Sequence, residues 1–509
     1  MDVRYRIAMV GLVLAIGLPA WAVQAQGEPD GWSEPIQISE PNQSSWFPVG
    51  ATARSGRFMA FWSTSLNLPS NGFDLVMESS TVDGQEWTPS VDIQALSQGP
   101  NLESEVTRAA VWIDERDIVH MTFRGLQTFS LFYTQAPLAE ANDVRGWSMP
   151  VELGQQTYFS QVLTDRRGTI HIVFTSNVYS RRCPICYRVF YRRSPDNGLT
   201  WTDPVDISRI ASGSAKPALL LDPDNGLHVA WESARGGTLG RVDTPAQILV
   251  ASSLDGGDTW TEPQALAAPE SEGSYRVGLA REPLGRIMAV WTALPEGRMF
   301  YSMSSDRGRS WDAAVEIPEL EAPLTTALDN LSLATDGSNF VHLACVCGAT
   351  LREGEYDLSH LVWDGNTWSA PEVVATYKGD LPEWPALRVG LGNVLHLIWY
   401  VRNEEAIFDT DAGNYTVWYT TRTTGAIGFD PVPEPTAISR PTQAPVSLPS
   451  VTPQATPTPI RPIIISNPGD ISQVEPYNEA DYILLIGLSL LPVLLLIGAV
   501  GLVIRLRRG

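Results

Sequence analysis

Four cysteines fall in two close pairs, Cys183-Pro-Ile-Cys186 and Cys345-Val-Cys347. Thiolates at Cys-x-x-Cys spacing make half of a tetrahedral zinc site, and in an oxidising compartment the same spacing closes as disulfides. The two pairs lie far apart along the chain, so disulfides are expected and no metal site is. Aspartate recurs with hydroxyl and glycine neighbours in Ser194-Pro-Asp196-Asn-Gly198-Leu-Thr200-Trp201, Ser253-Leu-Asp255-Gly-Gly257-Asp-Thr259-Trp260 and Ser304-Ser-Asp306-Arg-Gly308-Arg-Ser310-Trp311. A carboxylate beside hydroxyls suits acid–base or metal chemistry. The same spacing also lets it bond the amides of a tight hairpin, with glycine allowing positive φ and tryptophan packing inward. Recurrence in register with a longer period favours the turn, so these aspartates, glycines and tryptophans are read as structural.

A third group is suited to recognition. Trp46-Phe47, Tyr158-Phe159, Tyr275-Arg276 and Trp384 open apolar runs, with Arg124, Glu232 and Arg402 at the ends of others. Flat rings stack on sugar faces or anchor a partner's apolar side chains. Loops nearby add Arg181, Arg182, Arg235, Arg241, Arg352, Glu353, Glu404 and Glu405. Singly, such charges are solvated surface. His120, His171, His228, His342 and His396 each sit among aliphatic residues at one fixed place, which Met59 and Met288 also fill. A place that methionine satisfies is read as packing.

These groups are positioned by a repeat. Gly/Asn, two residues, His or Met, two apolar residues and an aromatic recur seven times at intervals of 51 to 61 residues, from Met59 to His396. A second marker, a tryptophan before a short strand, falls at Trp32, Trp87, Trp147, Trp201, Trp260, Trp311 and Trp368, at intervals of 51 to 60. Each period reads as four short strands broken by Gly, Asp and Asn turns, with no helical pattern long enough for a crossover unit. A four-stranded sheet cannot hide both faces, so the repeats must stack, and radial closure hides them all. The reading is all-β, a seven-bladed β-propeller. Its first tryptophan precedes any complete repeat and its last repeat, ending at Tyr415–Tyr419, lacks one. The N-terminal strand is therefore expected to complete the last blade.

The three aspartate segments, with shortened versions at Thr81–Trp87 and Val362–Trp368, make residues 27–430 resemble the Asp-box (BNR) repeat, sialidase-like propellers. That resemblance implies boxes on hairpins away from the substrate face, and six blades as the alternative count. It also implies, in the enzymes, three arginines on a substrate carboxylate, a Tyr/Glu nucleophile pair and an Asp acid/base. The first arginine belongs to an F/Y-R-I-P motif at the first inner strand. Here Ser45-Trp-Phe-Pro-Val49 has none, and the look-alike Tyr5-Arg6-Ile7-Ala8 falls in the leader. No catalytic residue is carried over.

The ends carry the address. Arg4 and Arg6, an apolar run to Ala22 and Val23-Gln-Ala25 read as a signal peptide over residues 1–25. Residues 26–430 form the propeller and 431–480 a stalk, with 11 prolines between 431 and 468. Proline at that density holds a chain extended and unfolded. Tyr482–Ile504 is uncharged and long enough to span a bilayer, so residues 481–505 are read as one transmembrane helix. Arg505, Arg507 and Arg508 flank it, placing residues 506–509 in the cytoplasm. The whole chain carries −22, which disfavours nucleic acid and anionic lipid. The expectation is a cell-membrane protein, single-pass, whose body binds glycans or envelope or protein partners without cofactor or catalysis. A sialidase-like exo-glycoside hydrolase is the alternative.

Overall fold

A computed structural model describes residues 31–41, 43–66, 73–93, 106–178, 186–209, 213–234, 246–269, 271–323, 330–403 and 415–434. The chain divides into two compact units, Met1–Ile438 and Ser439–Gly509, and every described residue belongs to the first. The leader, most of the stalk and the expected membrane span lie outside the described residues. Among the described residues no helix is long and apolar enough to cross a membrane.

The first unit is a ring of seven antiparallel four-stranded sheets. The innermost strands, in order, are Ser44–Thr52, Val106–Ile113, Thr157–Thr164, Gly213–Leu221, Gly273–Arg281, Ser332–Thr335 and Asp380–Gly390. Outermost strands are shorter and wetter, as at Val91–Asp92 and Val205–Asp206. The seventh blade takes its outer strand from the other end of the chain: Ile36 pairs with Tyr419 and Gln37 with Trp418. Ser33 N–H donates to Thr421 O at 2.8 Å, extending this closure. The clasp expected from the leading tryptophan and the last repeat that lacks one is present. Core residues lie in the gaps between neighbouring blades. One cluster joins Phe61 and Val76 of the first blade to Val106 and Phe132 of the second.

The S-x-D-x-G-x-T/S-W segments form tight turns between third and fourth strands. In the first, Asp196 Oδ1 accepts from Thr200 N at 2.8 Å and from Ser194 Oγ at 2.9 Å, while Oδ2 accepts from Thr200 Oγ1 at 2.6 Å. Ser194 Oγ in turn accepts from Gly198 N at 2.8 Å. Asp255 and Asp306 repeat the pattern. The hydroxyl of Thr200 holds the Asp196 carboxyl below the usual range, and that of Ser310 does so for Asp306. For Asp255, partial burial pushes upward, but the Thr259 bonds outweigh it and hold the group at about 2. Replacing any one aspartate by alanine should lower the melting temperature and leave ligand binding intact. Lost binding at an unchanged melting temperature would contradict this assignment.

The recurrent histidines do more than pack. His120 Nδ1 lies 2.7 Å from the Tyr133 hydroxyl, and its Nε2 lies 3.4 Å from Asp114 Oδ2. His171 is held likewise by Tyr191 at 2.7 Å and Asp165 at 3.7 Å. In the fourth blade Ser252 supplies the hydroxyl at 2.9 Å and Asp222 the carboxylate at 3.2 Å. In the sixth, Asp336 and His360 flank His342. The aspartate stands six residues before the histidine each time, a spacing visible in the sequence. Asp222–His228–Ser252 has the composition of a hydrolytic triad. It is one member of a buried structural series, and a Cβ on Gly308 of the next blade would lie 2.0 Å from Ser252 Oγ. No substrate fits there.

Candidate functional site

Six innermost strands slip register against their second strands near their entry, as between Trp46 and Val49 and between Glu383 and Ala386. These are β-bulges, which re-aim side chains. In five of them a residue with a side chain takes left-handed φ: Phe47 at 50°, Arg108 at 53°, Lys216 at 44°, Arg276 at 58° and Trp384 at 55°. That region costs a non-glycine residue roughly 1–2 kcal/mol, so its repetition is not idle. Proline follows in three cases, Pro48, Pro217 and Pro385, where the interrupted ladder needs no amide donor.

The bulges deliver side chains to the mouth of the central channel. Phe47, Arg108, Phe159, Lys216 and Trp384 line a cavity of about 440 Å³ enclosed by the innermost strands. Trp384 stacks on Phe159 at 5.8 Å and 14°, and meets Phe47 edge-on at 5.3 Å. The Arg108 guanidinium lies 4.3 Å from the Phe47 ring and 4.2 Å from Tyr158, and donates to the Tyr158 hydroxyl at 2.9 Å. Arg124 lies over Phe129 at 4.7 Å and Tyr158 at 5.0 Å, with its Nε donating to Thr157 O at 2.7 Å. The result is an aromatic wall with guanidinium groups set into it.

Two buried carboxylates stand behind the wall. Glu232 pairs with Lys216 Nζ at 2.8 Å and accepts from Arg276 N at 2.7 Å. Glu383 accepts from the Tyr400 hydroxyl at 2.8 Å and pairs with Arg402 Nε at 2.6 Å. Burial alone would lower the Arg402 pKa, but the Glu383 charge outweighs it and keeps the guanidinium protonated.

Of the residues expected at the face, Phe47, Tyr158, Trp384 and Arg124 come together, with Glu232 and Arg402 in the supporting layer. Trp46 turns instead to Tyr415 of the neighbouring blade, edge-on at 5.5 Å. Tyr275 is buried with Ala246 and Leu294, and Arg276 is 2% exposed, so neither opens onto the cavity. Phe159, named with Tyr158 in the sequence, joins Phe47 and Trp384 in the cavity wall, whereas Arg108 and Lys216 were not singled out there. The x-Pro step inside an otherwise strand-like run was a readable bulge signal for Lys216; nothing local marks Arg108. Arg352 sits on the sixth-blade loop, paired with Glu355 at 2.9 Å. Arg181, Arg182, Arg235, Arg241, Glu404 and Glu405 lie outside the described residues. Cys345 and Cys347 are joined, and Cys186 is disulfide-bonded. Cys183 lies outside the described residues. Among the described residues no cluster of His, Cys, Asp and Glu could hold a metal.

No protein-family model matches the chain, and no curated protein does. Among solved structures, a protein of unknown function from Dyadobacter fermentans aligns at 13% identity over 77% of this chain and 99% of its own, with a TM-score of 0.47. An ulvan lyase, a polysaccharide lyase, aligns at 10% over 75% and 95%, with a TM-score of 0.49. The intramolecular trans-sialidase of Ruminococcus gnavus aligns at 11% over 77% and 96%, with a TM-score of 0.39. Likeness at this level says nothing about activity.

Proposed function

We propose that this protein is a membrane-tethered extracellular propeller whose channel mouth binds a glycan without transforming it. The observation that carries the reading is the set of five strained bulges at one end of the ring. Strain repeated at equivalent places is kept where it positions recognition groups, and here four of the five strained residues, Phe47, Arg108, Lys216 and Trp384, stand around one opening. Sugars present an apolar C–H face to such rings and hydroxyls to such donors.

The chain leaves its last strand along the end of the ring opposite the bulges. After the last strand, Ile427 N donates to Ser338 Oγ at 3.0 Å, Phe429 N to Leu391 O at 2.7 Å and Val432 N to Arg54 O at 2.9 Å. Ser55 Oγ donates to Glu434 Oε1 at 2.6 Å. These acceptors and donors belong to turns between first and second strands, at the end of the ring opposite the bulges.

The test is glycan-array binding by the full chain in lipid nanodiscs, compared with Phe47→Ala combined with Trp384→Ala. The double change should weaken binding at least about tenfold, since two stacked rings each contribute about 0.5–1.5 kcal/mol beyond area burial. Full binding by the double variant would place the ligand elsewhere.

One observation favours hydrolysis instead. Tyr400 and Glu383 form the kind of Tyr/Glu pair that the sialidase resemblance implies, beside Arg402. All three are at most 5% exposed, and the first-strand arginine is absent. We expect no release of sialic acid from a fluorogenic sialoside. Release that disappears in Tyr400→Phe would establish the hydrolase.

A further inference from the structure

Each turn between third and fourth strands normally lids the blade before it. A Cβ on Gly198 would meet the Tyr133 ring at 2.8 Å, and Trp201 packs edge-on against that ring at 5.0 Å. Gly257 and Trp260 cover Tyr191 in the same way, and Trp87 covers Tyr419 at 4.8 Å. Tyr301 of the fifth blade holds the place of these tyrosines, two residues across from Met288 as Tyr133 is from His120.

The junction between the fifth and sixth blades breaks this pattern three times. Met288 stands where a histidine Nδ1 lies beside the tyrosine hydroxyl in the second and third blades. Trp363 replaces the serine that opens the turn, pairing with Val341 as Ser304 pairs with Ile287. The turn Asp364-Gly-Asn-Thr-Trp368 is one residue shorter from aspartate to tryptophan than Asp306 to Trp311. The shortened turn rests on Pro283, 3.3 Å from where a Gly365 Cβ would lie. Tyr301 is left half-buried, and its hydroxyl makes no hydrogen bond among the described residues.

What opens is a groove of about 250 Å³ lined by Tyr301, Trp363, Arg286, Asp312, Gly365 and Asn366. Tyr301 and Trp363 stand 5.2 Å apart at 53°; Trp363 is 4% exposed and backs the wall, so the open aromatic surface is that of Tyr301. Arg286 is committed to Glu282 at 2.9 Å. The side chains of Asp312 and Asn366 are exposed and make no hydrogen bond or ion pair among the described residues. An aromatic wall, a carboxylate, an amide and a phenol around so small a volume match one sugar ring, C–H face to the Tyr301 ring and hydroxyls to the polar edge. The Asp312 carboxylate, whose charge acts on Arg286, and the −22 charge of the chain disfavour an anionic sugar.

We infer that this groove is a second binding site, on the flank of the ring, for a single neutral pyranose. It is independent of the mouth. A flank site adds a second attachment point on a polymeric glycan, where even weak contacts gain by effective concentration.

Saturation-transfer NMR on the full chain in lipid nanodiscs, with methyl β-galactopyranoside and methyl β-glucopyranoside as probes, tests it. Transfer to one or both probes is expected, strongest on the protons of one ring face. Asp312→Ala combined with Asn366→Ala touches only exposed side chains and should weaken the interaction about tenfold at an unchanged melting temperature. Tyr301→Phe keeps the ring and should weaken it less than Tyr301→Ala. No transfer to either probe, or transfer that survives the double change, overturns the site. Transfer lost on Trp384→Ala instead assigns the sugar to the mouth and also overturns it.

Discussion

Glu78→Gln is expected to stabilise the propeller at pH 8 by about 3 kcal/mol and to have little effect near pH 4. Glu78 lies on the third strand of the first blade, opposite Phe61 and on the same face as Val76, so it is pressed into the apolar gap between the first two blades. It holds the place that tyrosine takes in the second, third and seventh blades, but Met59 stands where its histidine partner would be. Neither carboxylate oxygen has a hydrogen-bond partner among the described residues. Burial pushes the carboxyl up from 4.5 to about 7, with the Arg57 charge and the nearby Ser80 hydroxyl opposing only in part. A folded-state pKa above the unfolded value means the stability is fully present below about 4.5 and is lost as pH rises through 7. Ionising a carboxyl held at about 7 costs roughly 3 kcal/mol of stability at pH 8, which glutamine avoids by carrying no charge. Chemical-denaturation midpoints at pH 4 and pH 8 read this directly. A variant no more stable than the parent at pH 8 would mean the carboxylate is satisfied.

Asp222→Ala should act in the opposite direction, destabilising by about 2–4 kcal/mol at pH 7. Its carboxylate accepts from Gly226 N at 2.7 Å, Asp224 N at 2.9 Å and Arg307 Nε at 2.8 Å, and lies 3.2 Å from His228 Nε2. The alanine leaves buried donors unmet, each at about 1–3 kcal/mol. Arg307 is 36% exposed and regains water, so its share is discounted. Burial alone would raise the Asp222 pKa, but its bonds to His228, Arg307 and Gly226 outweigh that and hold it far below normal. Asp114 and Asp165 are held at about 2 against the same opposing burial. Depressed carboxyl pKa values give stability that is present above the unfolded value of 3.8 and lost as pH falls towards 2. The parent should therefore unfold steeply between pH 4 and 2, and Asp222→Ala should lose less over that interval. Equal slopes would separate the carboxylate from acid sensitivity.

The two aspects of the histidines show where sequence reading stops. Their placement among aliphatic residues announced burial, and they are buried. The partners that satisfy them come from a turn six residues earlier and from the next strand, and only strand register brings Tyr133 or Ser252 within reach. The mouth shows the same division. Trp46 and Phe47 are adjacent and equally aromatic, yet the bulge sends them to different neighbours. A residue of the second blade, Arg108, is built into the aromatic wall with no local sign.

Blade number, strand order and closure were legible in this chain alone. They follow from a period repeated seven times and from which end lacks its tryptophan, and repeats that each leave a face uncovered have few ways to hide it. The turns at Asp196, Asp255 and Asp306 were legible for a related reason: their bonds lie within a few residues and need no tertiary partner. The contents of the mouth, the isolation of Glu78 and the groove beside Tyr301 were decided only by the closed ring. The mouth and the groove depend on side chains from different blades meeting, as Trp384 meets Phe159 and Tyr301 meets Trp363, and the isolation of Glu78 on what the neighbouring strand fails to supply. One-residue shifts in register or turn length change that outcome without disturbing the period, because the period is set by the apolar cores between blades and the shifts occur at their rims.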